Sequence, residues 1–338
     1  MQSIIRKIYN QFIPHLYYFP ILRQNYISRK KVLLPLYKNI NDAKEQMHIQ
    51  GKTVILMVKN ETVFCGGLSD RFRGIISVFQ ECKALGLNFK IYFETPKLKD
   101  YLDCNEYDWY IAEQDICYDT KIVYPCSILS HHPINDQKQP LVQKNILRWF
   151  LKKDFAQIHV YTNMLSGDGH YRELFHELFK PTRDLQELIN FHLKQLGGIG
   201  KFQAMVFRFR QLLGDFKEGG EILPIHEREN YIQRCISVIE KKHASSPLEK
   251  ILVTSDSTSF LNQLSSMPFV YVIPGEVVHM GFTFDASKKT YMKSFVDYFV
   301  LSHAHSITLV RDKKMYHSGF ALRAAMLNGA EYSEMWML

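Results

Sequence analysis

The sequence has no acidic residue in its first 40 positions, no Cys-x-x-Cys pair and no low-complexity tract. It also has no apolar run approaching the ~18 residues of a membrane span. Each absence excludes something. The six cysteines, at 65, 82, 104, 117, 126 and 235, lack metal spacing, so they read as reduced thiols of a cytoplasmic protein. With no spanning run and no cleavable leader pattern, the chain is expected to stay in the cytoplasm. GxGxxG and the P-loop Lys-Ser/Thr pair are missing, so neither the dinucleotide fingerprint nor the P-loop applies. No Asp-x-Asp pair offers to clamp a divalent ion on a diphosphate, and no metal site is expected.

What is present is a chain of 338 residues, 46% apolar and 22% charged, long enough for two cores. Of its formal net charge of +8, all but one unit comes from residues 1–40: Arg6, Lys7, Arg23, Arg29, Lys30, Lys31 and Lys38. A nucleic-acid reader spreads its basic residues over a working face, so confinement of the excess to one end argues against that partner. The same segment carries Tyr9, Phe12, Tyr17, Tyr18, Phe19, Tyr26 and Tyr37. Cations interleaved with aromatics suit either the headgroup layer of an anionic membrane or an arm packed on the protein's own surface.

Residues 50–135 alternate strand and helix signals, with strands at Thr53–Val58, Thr62–Cys65, Phe89–Phe93 and Ile122–Tyr124, and a short helix or turn at Leu98–Leu102. His131 and His132 read as a solvated turn in preference to a substrate contact or metal pair, because no third ligand stands at useful spacing. Residues 141–197 read as mainly helical, a segment bridging two lobes and ending at Gly197-Gly198-Ile199-Gly200. Alternation then restarts, with strands at Phe202–Phe209, Lys250–Thr254, Phe269–Ile273 and Ile307–Val310. Helices are expected over Glu229–Lys241, Lys288–Leu301 and Gly319–Leu327. Three parts follow: a basic aromatic segment (1–40), an α/β lobe with its helical segment (41–197) and a second α/β lobe (198–338). Repeated β-α-β in both halves predicts two parallel sheets facing a cleft.

Four clusters fall at strand ends, where open α/β sheets bind ligands. Gly66 and Gly67 lead into a helix with Ser69 or Asp70 at its cap, Arg71 and Arg73 in its first turn, and Phe72, Ile75, Phe79 and Cys82 along its buried stripe. Arg208 and Arg210 share one face of a strand, with Asp215, Lys217 and Glu218 following. Two such guanidiniums need an anion or a carboxylate to meet them, and phosphate is the preferred reading. Thr254-Ser255-Asp256-Ser257 follows the apolar run Ile251–Val253. Ser318, Gly319 and Phe320 open the last helix and form a further anion seat.

In this order the clusters resemble the fucosyltransferases of the nodulation, core α1,6 and protein O-fucosyltransferase type. Gly66 to Gly74 is similar to their N-terminal glycine-arginine turn. Arg208-Phe209-Arg210 resembles their His-x-Arg strand motif, with Arg208 in place of the histidine, and Ser302 to Phe320 looks like their C-terminal segment. The resemblance implies a GT-B-type α/β fold of two Rossmann-like lobes and inverting, metal-independent transfer of fucose from GDP-fucose, with no cofactor. It also implies that Asp256 holds the guanosine. On this reading Arg210 stabilises the leaving diphosphate, and Gly66, Gly67, Asp70, Arg71, Arg208, Ser318, Gly319 and Phe320 complete the donor site. Glu218, Asp215 and Asp70 are the carboxylates available as base. A glycan acceptor, lipid-linked or free, is the expected partner, in bacterial surface glycan synthesis. Another nucleotide sugar as donor, or a non-catalytic glycan- or lipid-binding module, are the alternatives.

Overall fold

The computed structural model describes residues 19–41, 51–59, 63–129, 139–164, 169–216, 218–245, 248, 250–283 and 285–337. The chain forms two compact units, one of Met1–Leu98 with Cys104–Phe179, the other of Lys99–Asp103 with Lys180–Leu338. His131, His132 and Lys217 lie outside the described residues.

The first unit is built on a parallel sheet in the order β2-β1-β5-β4, from β1 (Thr53–Val58), β2 (Asn88–Phe93), β4 (Val123–Ile128) and β5 (Gln157–Thr162). Three of these strands match expectation. The fourth, β5, lies in the stretch expected to be helical, and it pairs with both β1 and β4 near the centre of the sheet. Its apolar positions Ile158 and Val160 alternate with Gln157 and His159, a period of two that a polar residue inside the core disguises. The strand expected at Thr62–Cys65 does not form: Val63–Cys65 is irregular, and Thr62 lies outside the described residues.

On one side of this sheet lies α2 (Leu68–Leu85), whose Phe72, Ile75, Phe79 and Cys82 are all fully buried, as their spacing predicts. Each aromatic or aliphatic side chain on that stripe contributes ~1.5–3 kcal/mol by leaving water. Gly74 marks where α2 comes closest to β5, because a Cβ there would overlap the Thr162 carbonyl oxygen. The N-terminal helix α1 spans residues 19–41 and includes a π-helical stretch, Arg29–Leu33. It buries Leu33 and Tyr37 in a cluster with Ile55, Met57, Val123 and Tyr161. Tyr37 Oη lies 2.6 Å from His159 Nδ1 and 3.1 Å from Tyr161 Oη. His159 Nε2 lies 2.9 Å from Gln157 Oε1. The imidazole therefore accepts at Nδ1 and donates at Nε2, the pattern of the neutral ring. Residues 19–41 are thus a packed helix, and their outer face keeps Phe19, Tyr26, Ile27 and Val32 exposed. After β3 (Leu102–Cys104), α3 (Gln139–Leu151) and α4 (Tyr171–Leu178), the chain leaves this unit near β6 (Phe179–Pro181).

The second unit is a five-stranded parallel sheet in the order β11-β10-β7-β8-β9. Its strands are β7 (Phe202–Phe207), β8 (Lys250–Ser255), β9 (Val270–Tyr271), β10 (Ser306–Arg311) and β11 (Glu331–Trp336). Among the described residues five α-helices belong to it: α5 (Arg183–Gln195), α6 (Ile225–Ala244), α7 (Thr258–Leu264), α8 (Lys288–Ser302) and α9 (Gly319–Asn328). Gly197–Gly200 lies in the turn between α5 and β7. The short excursion Lys99–Asp103 belongs here because Tyr101 stacks on Phe295 at 4.3 Å and donates to the Lys288 carbonyl at 3.1 Å. Among the described residues no helix is long and apolar enough to cross a membrane.

Two stability measurements check this account. Gly74→Ala forces α2 away from β5 and is expected to cost ~1–3 kcal/mol in urea unfolding, whereas Gly86→Ala meets no neighbouring atom and carries only its backbone cost. Burial pushes the His159 pKa down to about 3. The unfolded chain therefore binds a proton below pH ~6.5 that the folded chain refuses. Stability is expected to fall as pH drops from 6.5 towards 3, with this one site contributing up to ~1.4 kcal/mol per pH unit. His159→Gln removes that part of the slope, and an unchanged slope would contradict the neutral assignment.

Candidate functional site

β7 is the middle strand of the second sheet, and parallel pairing sets Phe207 of β7 opposite Ser255 of β8. One residue further on, Arg208 and Asp256 meet at the carboxyl end of the sheet. The strand stops at Phe207, two residues short of the expected Phe209, so Arg208 and Arg210 are not two residues on one strand face. Instead the backbone turns. Arg210 adopts φ +56°, alone in this region among the described non-glycine residues, at a strain of ~1–3 kcal/mol.

Asp256 holds that turn. Its Oδ1 accepts from the Phe209 N–H at 2.8 Å, and its Oδ2 accepts from the Arg210 N–H at 2.6 Å and from Arg208 Nη1. The side chain is 5% exposed. Burial pushes its pKa up, against the pull of Arg208 and the two amides. Both oxygens, expected to face a nucleoside, are thus engaged within the protein. Phe209 locks the turn from below, packing on Phe207 and Phe260 at 6.1 and 5.1 Å.

Glu218 closes the other side. Arg208 Nη2 donates to its Oε2, and Arg210 Nε donates to its Oε1 at 3.2 Å. The Arg208 guanidinium lies 5.1 Å over the Phe216 ring, and that of Arg210 lies 5.0 Å over Tyr316. Two guanidiniums and two carboxylates balance. Their exposures do not match: Arg210 is 33% exposed, Arg208 13% and Glu218 8%. Arg210 is the cation that reaches solvent.

Asp215 belongs to the same region but performs a different task. Its Oδ2 accepts from Ser257 Oγ, Ser259 N and Ser259 Oγ, each at 2.8 Å, which ties the loop to the start of α7. Ser257 in turn caps α7 by accepting from the Phe260 N–H. Tyr316 N–H donates to the Arg208 carbonyl at 3.0 Å, bringing in the segment before α9. There Ser318 is the N-cap, accepting from the Phe320 N–H at 3.2 Å, with Gly319 opening the helix. The structure therefore gathers Arg208, Arg210, Asp215, Glu218 and Asp256 at one sheet edge, with Ser318-Gly319-Phe320 joined through Tyr316.

Gly66, Gly67, Asp70 and Arg71 lie in the first unit. Gly67 is the N-cap of α2, and Ser69 and Asp70 sit inside its first turn, not at the cap. Gly66 has φ +76° and is pressed on Asp70, whose Oδ2 would lie 2.5 Å from an added Cβ. Arg71, expected near the donor, is wholly buried: Nε donates to the Gly66 carbonyl at 3.0 Å and Nη1 to the Thr95 carbonyl at 2.9 Å. It is an internal brace for the turn. Arg73 bridges Asp70 and the Asn163 carbonyl.

Sequence reasoning missed the contributions of Phe216 and Ser259, whose aromatic and polar groups carry no signal until the loop brings them to Arg208 and Asp215. Among the described residues, no three His, Cys, Asp or Glu side chains converge as metal ligands.

No family model and no curated protein matches this chain. Solved structures do. The chain is similar to the fucosyltransferase NodZ from Bradyrhizobium, with 14% identity and a TM-score of 0.53 over 82% of this chain and 94% of that one. NodZ α-1,6-fucosyltransferase matches equally in a crystal soaked with GDP-fucose. A variant of Arabidopsis thaliana FUT1 in complex with GDP matches at 13% identity and TM-score 0.51, covering 95% of this chain and 80% of that one. POFUT1 in complex with GDP matches at 11% identity and TM-score 0.50, covering 86% and 99%. The chain has the fold of these enzymes, GT-B-like with parallel α/β sheets.

Removing the carboxylate that holds the turn tests its role. Asp256→Ala is expected to lower stability by ~3–5 kcal/mol, since it takes the acceptor from two buried amides and leaves Arg208 with Glu218 alone. Asp215→Ala, at an exposed position, is expected to cost ~1 kcal/mol. Equal losses in denaturant titrations would refute the ranking.

Proposed function

We propose that the protein is an inverting glycosyltransferase that takes fucose from GDP-fucose, with the diphosphate met by Arg210 and no divalent ion required. The observation that carries the reading is Arg210: a partly exposed guanidinium in a strained turn at the carboxyl end of the central strand. Ligands of open parallel sheets bind at such strand ends, and strained backbone concentrates at functional sites. The fold is that of NodZ soaked with GDP-fucose and of FUT1 and POFUT1 with GDP, which supports the choice of donor.

The four-charge cluster suggests how the step proceeds. An entering diphosphate competes with Glu218 for Arg210, the weaker-held and more open of its two cations. Arg208 stays with Asp256, whose carboxylate matches its charge, and this pairing accommodates an arginine where the resembling family has histidine. Arg210 then stabilises the negative charge that grows on the β-phosphate as the sugar–phosphate bond breaks. Glu218, released from Arg210, is the base that takes the acceptor hydroxyl proton as the new C–O bond forms and GDP departs, with inversion at the sugar carbon. Asp215 and Asp256 position the loop. Ser318 and the start of α9 border the diphosphate, with the helix dipole favouring negative charge.

Reduced thiols at all six cysteines support a cytoplasmic setting. The exposed aromatic and basic face of α1 supports peripheral attachment to an anionic membrane, where a lipid-linked glycan acceptor for surface polysaccharide synthesis would be presented.

Arg210→Ala is expected to lower kcat ~100- to 1000-fold, the effect of losing one preorganised donor. Glu218→Gln separates binding from chemistry: GDP, measured by calorimetry, binds more tightly once its competitor is neutral, while transfer falls ~100-fold or more. Thermal stabilisation by GDP over UDP supports the donor assignment, and equal stabilisation by both overturns it.

A further inference from the structure

A pocket of about 480 Å³ opens in the first unit between α1, β4 and α3, whereas β7 and its turn belong to the second unit. Asn25, Tyr26, Arg29 and Lys30 line it from α1, Tyr124 from β4 and Trp149 from α3. Its charge is one-sided. α1, β4 and α3 contain no Asp or Glu, and Lys153 adds a further cation, 4.1 Å over the Trp149 ring and 5.2 Å over Tyr124. Arg29 sits 4.7 Å over the same Tyr124 ring, and its Nε is buried without a hydrogen-bond partner among the described residues. A guanidinium N–H held that way is costly unless an anion completes it. Arg29 also begins the π-helical stretch, an irregularity found mostly where a helix serves a function.

The rim is apolar. Tyr26 is 60% exposed, Trp149 54% and Phe19, at the start of α1, 70%. Large aromatic rings beside stacked cations match the interfacial layer of a bilayer, in which phosphate lies just above the first methylenes. We infer that this pocket takes the phosphate of an anionic phospholipid, with Arg29 and Lys30 on the phosphate oxygens and Trp149 and Tyr26 set among the upper acyl carbons. The inference rests on the membrane part of the proposed function and names its site; it does not depend on the transfer chemistry.

The test is co-sedimentation of the full chain with vesicles of phosphatidylcholine containing 30% (roughly) phosphatidylglycerol, against vesicles of phosphatidylcholine alone. Arg29→Gln is expected to weaken binding ~30-fold or more, as loss of a charge-assisted hydrogen bond and a cation together. Arg23, exposed on α1 but outside the pocket, is the control: Arg23→Gln loses no more than the ~5-fold that any cation near an anionic surface supplies. Trp149→Ala is expected to weaken binding to the anionic vesicles while leaving the thermal midpoint in place, since its ring is half in water. Equal losses at Arg23 and Arg29, or binding untouched in both Arg29→Gln and Trp149→Ala, overturn the pocket while the membrane reading stands; the chain's own residues 1–18 filling the pocket would give that second result. No binding to either vesicle removes both. Stabilisation by soluble glycerol phosphate without vesicle binding reassigns the pocket to a free phosphate ester and overturns the lipid.

Discussion

Asp256 takes two backbone N–H groups and one guanidinium from a single turn after β7, almost wholly out of water. Everything distinctive about that end of the sheet depends on this. The left-handed backbone of Arg210 persists because its N–H is captured, the direction of Arg208 is set by its ion pair, and Glu218 is located by the two guanidiniums so placed. A buried carboxylate alone would be costly, and a buried guanidinium likewise; sharing the cost with main-chain donors is what makes the arrangement tenable.

The first unit meets a similar demand with the opposite sign. After β1 the chain turns through Gly66, and the group that organises the turn is a cation, Arg71, donating to carbonyls of two separate loops. In one unit a carboxylate gathers N–H groups, and in the other a guanidinium gathers C=O groups. The difference follows from which half of the peptide each turn leaves without a ladder partner. It also follows that Arg71 is part of the scaffold, although it sits in a glycine-arginine turn that reads as a ligand contact.

The alternation of strand and helix, the buried stripe of α2 and the position of Arg208 and of Asp256 at two strand ends were legible because each rests on local spacing. What was not legible depends on long-range pairing. β5 looked like part of a helical region because His159 and Gln157 occupy buried positions in it, and Tyr37, 122 positions away, joins Gln157 in satisfying that histidine. The end of β7 was misplaced by two residues because Phe209 continues the apolar alternation, while the Asp256 carboxylate pulls its N–H out of the ladder. The internal partners of Arg71 and of the Asp256 oxygens were hidden for the same reason: a charged residue near a turn can serve a ligand or the turn, and composition does not distinguish them.

The side of α1 that meets the sheet repeats every four residues, at Ile21, Asn25, the half-buried Arg29, Leu33 and Tyr37. In an ordinary α-helix each such step drifts about 40° around the axis, so the last of these side chains would rotate off the sheet. The widened turn at Arg29–Leu33 winds the helix back, restoring the phase so that Tyr37 arrives opposite His159. Chain length in this stretch therefore works as a vernier: dropping a single residue between 29 and 33 would leave composition and charge nearly intact yet swing the anchoring phenol away from its imidazole.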